Sequence, residues 1–164
     1  MLPSVLGQET LPEDEEAREM PASEPPSFRK VLLIEDDPAL CHIFTRNLER
    51  RGVAVRVAHS TEEALCLLAE WHPDLLLLDV SLPGRTGWDL LRALRASGVA
   101  IPTVIISAVP PSARRIDEFR PLAYLLKPFP LEALLRLVVS PQGSGPEEHE
   151  SPEATVGGEE PAGE

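Results

Sequence analysis

The sequence predicts an α/β fold in which helices cover both faces of a parallel sheet. Four consecutive leucines at 75–78 leave no polar face, so a strand here is buried on both sides, as in the centre of such a sheet. Short apolar runs alternate five times with helical patterns along the chain. Strands joined by helices of this length are parallel, with right-handed crossovers. We therefore predict a doubly wound sheet of five parallel strands.

Charge divides the 164 residues into a centre and two acidic ends. Of the net charge of −12, residues 1–28 carry −6 and residues 140–164 carry −7, so that residues 29–139 are nearly neutral at +1. Both ends are rich in Pro, Glu, Gly and Ser and poor in large apolar residues, a composition that cannot bury enough surface to fold. We predict disordered acidic tails at 1–28 and 140–164 around one folded domain at 29–139.

The chain lacks the sequence features of exported and membrane proteins. The N-terminus has no basic region followed by an apolar one, and no apolar run approaches the ~20 residues that span a bilayer. Cys41 and Cys66 form no CxxC pair and fall in helical patterns, so we interpret them as small apolar side chains. We expect a cytoplasmic protein without membrane insertion.

The first strand, at 31–34, leads into a helix through an acidic turn. Pro38 suits the first helical position, and Asp37 can cap the helix N-terminus. This leaves Glu35 and Asp36 without a structural role, which makes them candidates for a functional one.

The next elements follow turn and cap signals. Gly52 ends the first helix, and valines at 53, 55 and 57 indicate an edge strand. Ser60 to Glu63 matches a capping box that begins the second helix. The apolar face of the first helix is predicted to consist of Leu40, Ile43, Phe44 and Leu48.

The leucine strand at 75–78 stops abruptly at a single carboxylate, Asp79. A loop with Pro83, Gly84 and Gly87 follows, and then a helical pattern. In open α/β sheets, ligands bind at the carboxyl ends of the strands, which is where Asp79 lies.

Two further strands end in polar side chains. The strand at 103–106 ends at Ser107, and the strand at 122–126 ends at Lys127. A short polar stretch with helical spacing, 113–120, lies between them, and a final apolar helix follows.

These strand ends define one candidate site. Glu35, Asp36, Asp79, Ser107 and Lys127 all follow parallel strands, and the carboxyl ends of parallel strands share one edge of the sheet. Three adjacent carboxylates repel one another, and oxygen ligands without His or Cys favour Mg²⁺ as the cation that relieves this. With a hydroxyl and a lysine suited to a phosphate group, the set predicts phosphoryl transfer onto a carboxylate.

Four motifs give this chain a resemblance to a known family. They are VLLIEDDP at 31–38, the Asp79-x-x-Leu-Pro-x-x-x-Gly pattern, IISA at 105–108 and AYLLKPF at 123–129. In this order and spacing the chain resembles the receiver domain of bacterial two-component response regulators over about 29–139. The resemblance implies a flavodoxin-like sheet with strand order 2-1-3-4-5.

The resemblance also implies a role for each acidic residue. Asp79 matches the phosphoacceptor. Asp36 and Asp79 match carboxylate ligands of Mg²⁺, the Ser81 carbonyl matches a third ligand, and Glu35 matches the acid that acts through a metal-bound water.

Three further residues match the family's response to phosphorylation. Lys127 would pair with a phosphoryl oxygen, and the resemblance also implies a cis Lys127–Pro128 bond. Ser107 matches the hydroxyl that moves onto the phosphoryl group, and Tyr124 matches the aromatic residue that turns inward with it.

One segment departs from the family pattern. The stretch between Ser107 and Lys127 is short and carries Pro110, Pro111 and Pro121. We therefore expect the fourth helix to be short, frayed or repositioned, which affects the family's output surface more than its acid cluster.

The primary hypothesis is a stand-alone receiver that accepts a phosphoryl group on Asp79 from a sensor histidine kinase or a phosphotransfer protein. It would catalyse only its own phosphorylation and dephosphorylation. The signal would pass to a downstream target protein by contact with the fourth helix, fifth strand and fifth helix. No nucleic-acid motif is visible and the C-terminal segment is acidic, so direct DNA binding is not expected.

Two alternatives remain open at this point. The irregular fourth helix favours a receiver-like interaction module that works without phosphorylation, whereas the intact set of candidate residues argues against it. A flavodoxin-like cofactor-binding protein fits less well, because no Gly-rich phosphate loop follows the first strand.

Overall fold

Apolar runs and helical patterns alternate through the folded part of the chain as expected. The computed structural model describes residues 27–139. Within that range the chain alternates five strands with five helices: β1 (Lys30–Ile34), α1 (Pro38–Glu49), β2 (Ala54–Ala58), α2 (Thr61–Glu70), β3 (Leu75–Asp79), α3 (Gly87–Ala96), β4 (Thr103–Ser107), α4 (Ala113–Phe119), β5 (Ala123–Leu126) and α5 (Leu131–Val139). No helix in this range has the length and apolar character needed to cross a bilayer. The predicted tails lie outside the described residues, apart from Ser27 and Phe28, and the boundaries at 29 and 139 stay predictions.

The strands form one parallel sheet in the order β2-β1-β3-β4-β5. The predicted fold class and strand order are therefore confirmed. The leucine strand β3 lies at the centre, and all five of its residues are buried. β4 is also buried throughout, whereas β2 and β5 form the edges.

Alternate residues of the strands build two separate cores, because successive side chains of a strand point to opposite faces. On one face Leu33 and Leu77 pack with Phe44 of α1 and Leu134 of α5. On the other face, residues such as Leu76 and Leu78 pack with α2 and α3, through Ala64, Leu90 and Leu94. The two cores explain why β3 has no polar residue before Asp79.

Helix caps follow the sequence signals with one difference. The Asp37 side chain accepts from the N–H groups of Ala39 and Leu40, which confirms it as the cap of α1. The Ser60 hydroxyl accepts from Glu63 N–H as predicted. The Glu63 carboxylate does not close the capping box, because it accepts from the N–H of His59, one residue before the cap.

One residue of the predicted apolar face of α1 is placed wrongly by the sequence pattern. Ile43 is 44% exposed, and Cys41 is buried instead. Cys41, Phe44 and Leu48 lie three and four residues apart and so share one helix face, whereas Ile43 lies about 100° from Phe44.

The fourth helix is short, as the prolines around it predict. α4 has seven residues and is capped at its C-terminus by Arg120, whose φ of 45° is left-handed. It packs beside α3, where the Phe119 ring stacks on Trp88 with centroids 5.5 Å apart and the Arg115 guanidinium lies 5.2 Å from the Trp88 ring centroid. Arg95 of α3 also donates to the Glu118 carbonyl at 2.7 Å.

One face of the segment around strand β5 is open to solvent. Leu122, Tyr124 and Leu126 alternate along this segment and are 40%, 46% and 38% exposed. Alternation places all three on the same face of the sheet as the buried Ile105, which pairs with Tyr124. The segment therefore presents an apolar strip beside α4.

Candidate functional site

Three acidic side chains meet at the carboxyl edge of the sheet. Glu35 and Asp36 follow β1, and Asp79 is the last residue of β3, its neighbour in the sheet. One carboxylate oxygen from each lies within 4.8 Å of the others. The topology thus brings together residues that are more than 40 positions apart in the sequence.

Lys127 reaches this acidic cluster from the far side of β4. It follows β5, and its Nζ lies 2.8 Å from Asp79 Oδ2 and 3.0 Å from Glu35 Oε2. Burial alone would lower the pKa of Lys127, but the hydrogen bonds to the Asp79 and Glu35 carboxylates outweigh it and raise the pKa. Lys127 therefore carries its positive charge between the two buried carboxylates.

Glu35 is enclosed while Asp36 is open to solvent. Glu35 is 1% exposed, and burial raises the pKa of its carboxyl group. The Asp37 N–H, which donates to Glu35 Oε1 at 3.1 Å, and Lys127 partly oppose this rise. Asp36 is exposed, so the cluster opens to solvent at this residue.

The loop after β3 fixes Asp79. Its Oδ1 accepts from the Ser81 N–H at 2.7 Å, and the side chain is 5% exposed. Further along the loop, a Cβ on Gly87 would lie 2.8 Å from Val80 Cα and 2.9 Å from Asp79 O. These are backbone atoms and cannot move aside, so only glycine permits α3 to begin this close to Asp79.

The cluster has the charge and the ligand types that a hard divalent cation requires. Three carboxylates share a single lysine, so a charge of −2 remains when all are ionised. The atoms that this cluster offers as metal ligands are all carboxylate oxygens, which Mg²⁺ prefers. These residues fit a magnesium ion.

Two other predicted residues, Ser107 and Tyr124, make no hydrogen bond to Asp79 among the described residues. The Ser107 hydroxyl donates to Val109 O at 2.6 Å and accepts from Val109 N–H at 3.1 Å, so it is engaged in its own loop. Tyr124 is 46% exposed on the open strip of β5. The Lys127–Pro128 bond is cis, as the resemblance implies.

Three residues at the edge of the site have no signal in the sequence patterns. Cys41 Sγ and His59 Nδ1 lie 3.3 Å and 3.1 Å from the Glu35 carbonyl oxygen. The Thr61 hydroxyl, at the start of α2, donates to Arg85 O in the loop after Asp79 at 3.2 Å. The His59 and Thr61 contacts join segments 24 positions apart, which become neighbours only in the folded sheet, whereas Cys41 lies six residues after Glu35. The strand register would have indicated the pairing of His59 with Glu35.

Comparison with known proteins identifies the family. The sequence model of the response regulator receiver domain matches residues 31–139, about two thirds of the chain. The chain belongs to the response regulator receiver domain family. The family resemblance seen in the four motifs is therefore confirmed, and the function is phosphorelay signalling in two-component systems.

Curated relatives of this receiver domain are longer proteins. The transcriptional regulatory protein TrcR of Mycobacterium tuberculosis is 37% identical over 108 residues, which cover 65% of this chain and 42% of TrcR. The two-component response regulator PhoP of Pseudomonas aeruginosa is 36% identical over 107 residues, which cover 64% of this chain and 48% of PhoP. The chain spans about half the length of the curated relatives it matches.

Solved structures agree with the receiver fold. The receiver domain of Francisella response regulator 1452 has 29% identity and a TM-score of 0.60, over 66% of this chain and 93% of that domain. The Thermotoga maritima protein TrrA, whose structure was solved in complex with Mg²⁺-BeF, has 22% identity and a TM-score of 0.57, over 65% of this chain and 92% of TrrA. At 22% identity TrrA supports the fold alone.

The family assignment decides among the three interpretations of the sequence. Receiver domains in general bind Mg²⁺ at an acidic pocket and interact with histidine kinases and downstream effectors. The chain is a receiver domain and its acidic cluster is intact, so the interpretation as a phosphorylation-independent interaction module is not favoured. The match to receiver domains likewise gives no support to a cofactor-binding protein.

Proposed function

We propose that this receiver domain accepts a phosphoryl group on Asp79 from a histidine kinase or phosphotransfer protein. The observation that carries the proposal is the position of Lys127 Nζ, within hydrogen-bonding distance of both Asp79 and Glu35.

An Asp79 oxygen attacks phosphorus in line as the phosphorus–nitrogen bond of the donor phosphohistidine breaks. The leaving nitrogen keeps the electron pair and takes up a proton. Lys127 stabilises negative charge on the transferred group. The domain thereby catalyses its own phosphorylation.

Four residues would hold the magnesium ion in this proposal. Asp36 and Asp79 would bind through carboxylate oxygens, Ser81 through its backbone carbonyl, and Glu35 through a bound water. The ion supplies positive charge next to the transferring phosphoryl group. The buried Glu35, fixed by Asp37 N–H and Lys127, supports an indirect role, whereas the exposed Asp36 is free to bind directly.

The proposed metal site predicts that Asp36→Ala weakens Mg²⁺ binding about tenfold, because it removes one of the charged ligands. The measurement is a Mg²⁺ titration followed by amide chemical shifts, which should move first at 35–37 and 79–81. Asp117→Ala, which removes an exposed carboxylate from α4, should leave the affinity unchanged. Equal affinity for wild type and Asp36→Ala would contradict the ligand assignment.

Phosphorylation is proposed to act on Ser107 and Tyr124. The phosphoryl group adds about −2 charge and three acceptor oxygens next to Lys127. These would draw the Ser107 hydroxyl away from Val109 O, which holds it in the structure. Tyr124 would then turn inward and change the open strip of β5, which with α4 and α5 would form the surface read by a downstream target protein.

The face beside Lys127 supports the proposal of a protein phosphodonor. An apolar groove of about 500 Å³ is lined by Leu40, Ile43 and Phe44 of α1 together with Lys127 and the residues that follow it. Lys127 lines this groove and also donates to Asp79 Oδ2, so the groove and the acidic cluster share this residue. A protein that delivers a phosphoryl group can bind this groove, while a small phosphodonor has no need of it.

The groove predicts a difference between two kinds of phosphodonor. Ile43→Asp should slow transfer from an autophosphorylated histidine kinase about tenfold, since a charge replaces an apolar contact residue. Phosphorylation by acetyl phosphate should stay at the wild-type rate. The kinase is chosen from a panel of purified kinases by its transfer to wild type, and both rates are followed by intact mass.

A matched control for Ile43→Asp exists at the opposite edge of the sheet. Val99 precedes β4 and is 43% exposed, nearly the same as Ile43. Val99→Asp should leave both rates unchanged. Equal slowing by the two variants, or slowing of the acetyl phosphate reaction by Ile43→Asp, would argue against a docking role for the groove.

The proposed domain spans 29–139, and the flanking segments are proposed to influence partner choice. Segments 1–28 and 140–164 carry −6 and −7 of the net charge. Such charge speeds association with basic partners and repels acidic ones, and its effect falls as salt screens it.

A further inference from the structure

We propose that His59 is a positioning residue for the acidic cluster, holding the Glu35 carbonyl so that Glu35 and Asp36 leave strand β1 in the direction that metal binding needs. This inference rests on the proposed function of the cluster as a Mg²⁺ site. His59 Nδ1 lies 3.1 Å from Glu35 O, so a side chain of the loop after β2 contacts the backbone of the site.

The contact completes a sheet ladder that the backbone leaves unfinished. β1 and β2 pair in parallel as far as Ile34 and Ala58, and the Glu35 N–H adds one more bond to Ala58 O at 3.0 Å. In a parallel ladder the carbonyl of the same residue would accept from the residue two positions further on, Ser60. Ser60 instead begins α2 as its cap, and the His59 ring donates to Glu35 O from the side.

The Glu35 carbonyl determines the course of the chain into Asp36. It belongs to the peptide group that joins the two acids, and that group is planar. Holding the oxygen therefore restricts the rotation of this peptide group and with it the position of the Asp36 Cα. Asp36 is exposed and Asp37 begins the cap of α1, so the restraint on this peptide lies at its Glu35 side.

A second donor to the same carbonyl is weaker. Cys41 Sγ lies 3.3 Å from Glu35 O, and burial, together with the nearby acids, raises the pKa of the thiol to about 11. The group therefore stays a thiol, which is a weak hydrogen-bond donor. His59 supplies the stronger of the two bonds.

His59 is itself held on both sides. Its backbone N–H donates to Glu63 Oε2 at 2.8 Å, and its chain neighbours are the last residue of β2, Ala58, and the cap of α2, Ser60. Because a carbonyl oxygen only accepts, Nδ1 is the donor in this contact and must carry the hydrogen.

The experiment compares three variants of the full chain by Mg²⁺ titration with amide-shift detection. His59→Leu removes the donor and should raise the dissociation constant about tenfold, the scale reported for residues that orient metal ligands. His59→Asn keeps an N–H near the position of Nδ1 and should stay within about twofold of wild type. His42→Leu alters a second exposed histidine, which lines a cleft between α1 and β2 together with His59, and should have no effect. Nitrogen-15 spectra of the wild-type imidazole should show Nδ1 protonated in the neutral ring.

The possible results separate this inference from the proposed function. Wild-type affinity in His59→Leu, or equal weakening in His59→Leu and His59→Asn, would overturn the positioning role while the metal site stands. A neutral His59 protonated on Nε2 would overturn it independently of any metal. If wild type shows no saturable binding at millimolar Mg²⁺, the metal site fails first and the positioning role fails with it.

Discussion

Replacing Asp79 with asparagine should abolish the ~80 Da adduct that forms with Mg²⁺ and acetyl phosphate, the added mass being that of a phosphoryl group. The amide of asparagine lacks the anionic oxygen that attacks phosphorus. It retains the shape of the side chain and an oxygen that can accept from Ser81 N–H, as Asp79 Oδ1 does. The variant should therefore fold, and intact mass spectrometry reports the loss directly.

The same strand offers a control for this substitution. Asp74 lies just before β3, at the opposite edge of the sheet, and its Oδ2 accepts from the N–H groups of Arg29 and Lys30. Asp74→Asn should form the adduct at the wild-type rate. An adduct that persists in Asp79→Asn would mean that another residue accepts the phosphoryl group.

Replacing Lys127 with methionine should lower the free energy of unfolding by about 3 kcal/mol in Mg²⁺-free buffer, the scale expected when one partner of a buried ion pair is removed. The Glu35 and Asp79 side chains are 1% and 5% exposed. Among residues 27–139, Lys127 is the cationic side chain that lies within 4 Å of both carboxylates. Without it, two buried carboxylates repel each other in a poorly solvated site. Urea unfolding measures the loss.

Magnesium should restore part of that stability, since a cation bound at the cluster would replace the missing charge. We therefore expect millimolar Mg²⁺ to stabilise Lys127→Met more than it stabilises wild type. Lys30→Met, at the exposed beginning of β1, is the control and should change neither quantity. An unfolding free energy for Lys127→Met equal to that of wild type would show that the lysine does not compensate the carboxylates.

Local sequence patterns were sufficient to predict the architecture of this receiver domain. Four leucines before Asp79 required burial on both faces, and that requirement placed β3 at the centre of a parallel sheet. Once the strands were parallel, their carboxyl ends had to share one edge, so the convergence of Glu35, Asp36, Asp79 and Lys127 followed from topology. Hydrophobic period and cap residues are short-range properties, which is why they can be read along the chain.

The distances between side chains, and the directions in which they point, could be obtained only from the folded structure. Whether Lys127 contacts one carboxylate or two depends on the separation of β1, β3 and β5 across β4. The Ser107 hydroxyl is held by Val109, and its alternative partner would be a phosphoryl group on another strand.

Which side chains are exposed and which are buried also could not be predicted fully from the sequence. Helical spacing placed Ile43 inward, but the packed face of α1 is centred on Phe44 and leaves Ile43 beside the groove. The prolines around α4 predicted a short helix, and its position against Trp88 of α3 depends on ring and guanidinium contacts. The bond from His59 to the Glu35 carbonyl exists because β2 turns into α2 one residue too early to complete its ladder. Such contacts arise between segments that are neighbours in space only, and their energies depend on geometry that no periodicity in the sequence encodes.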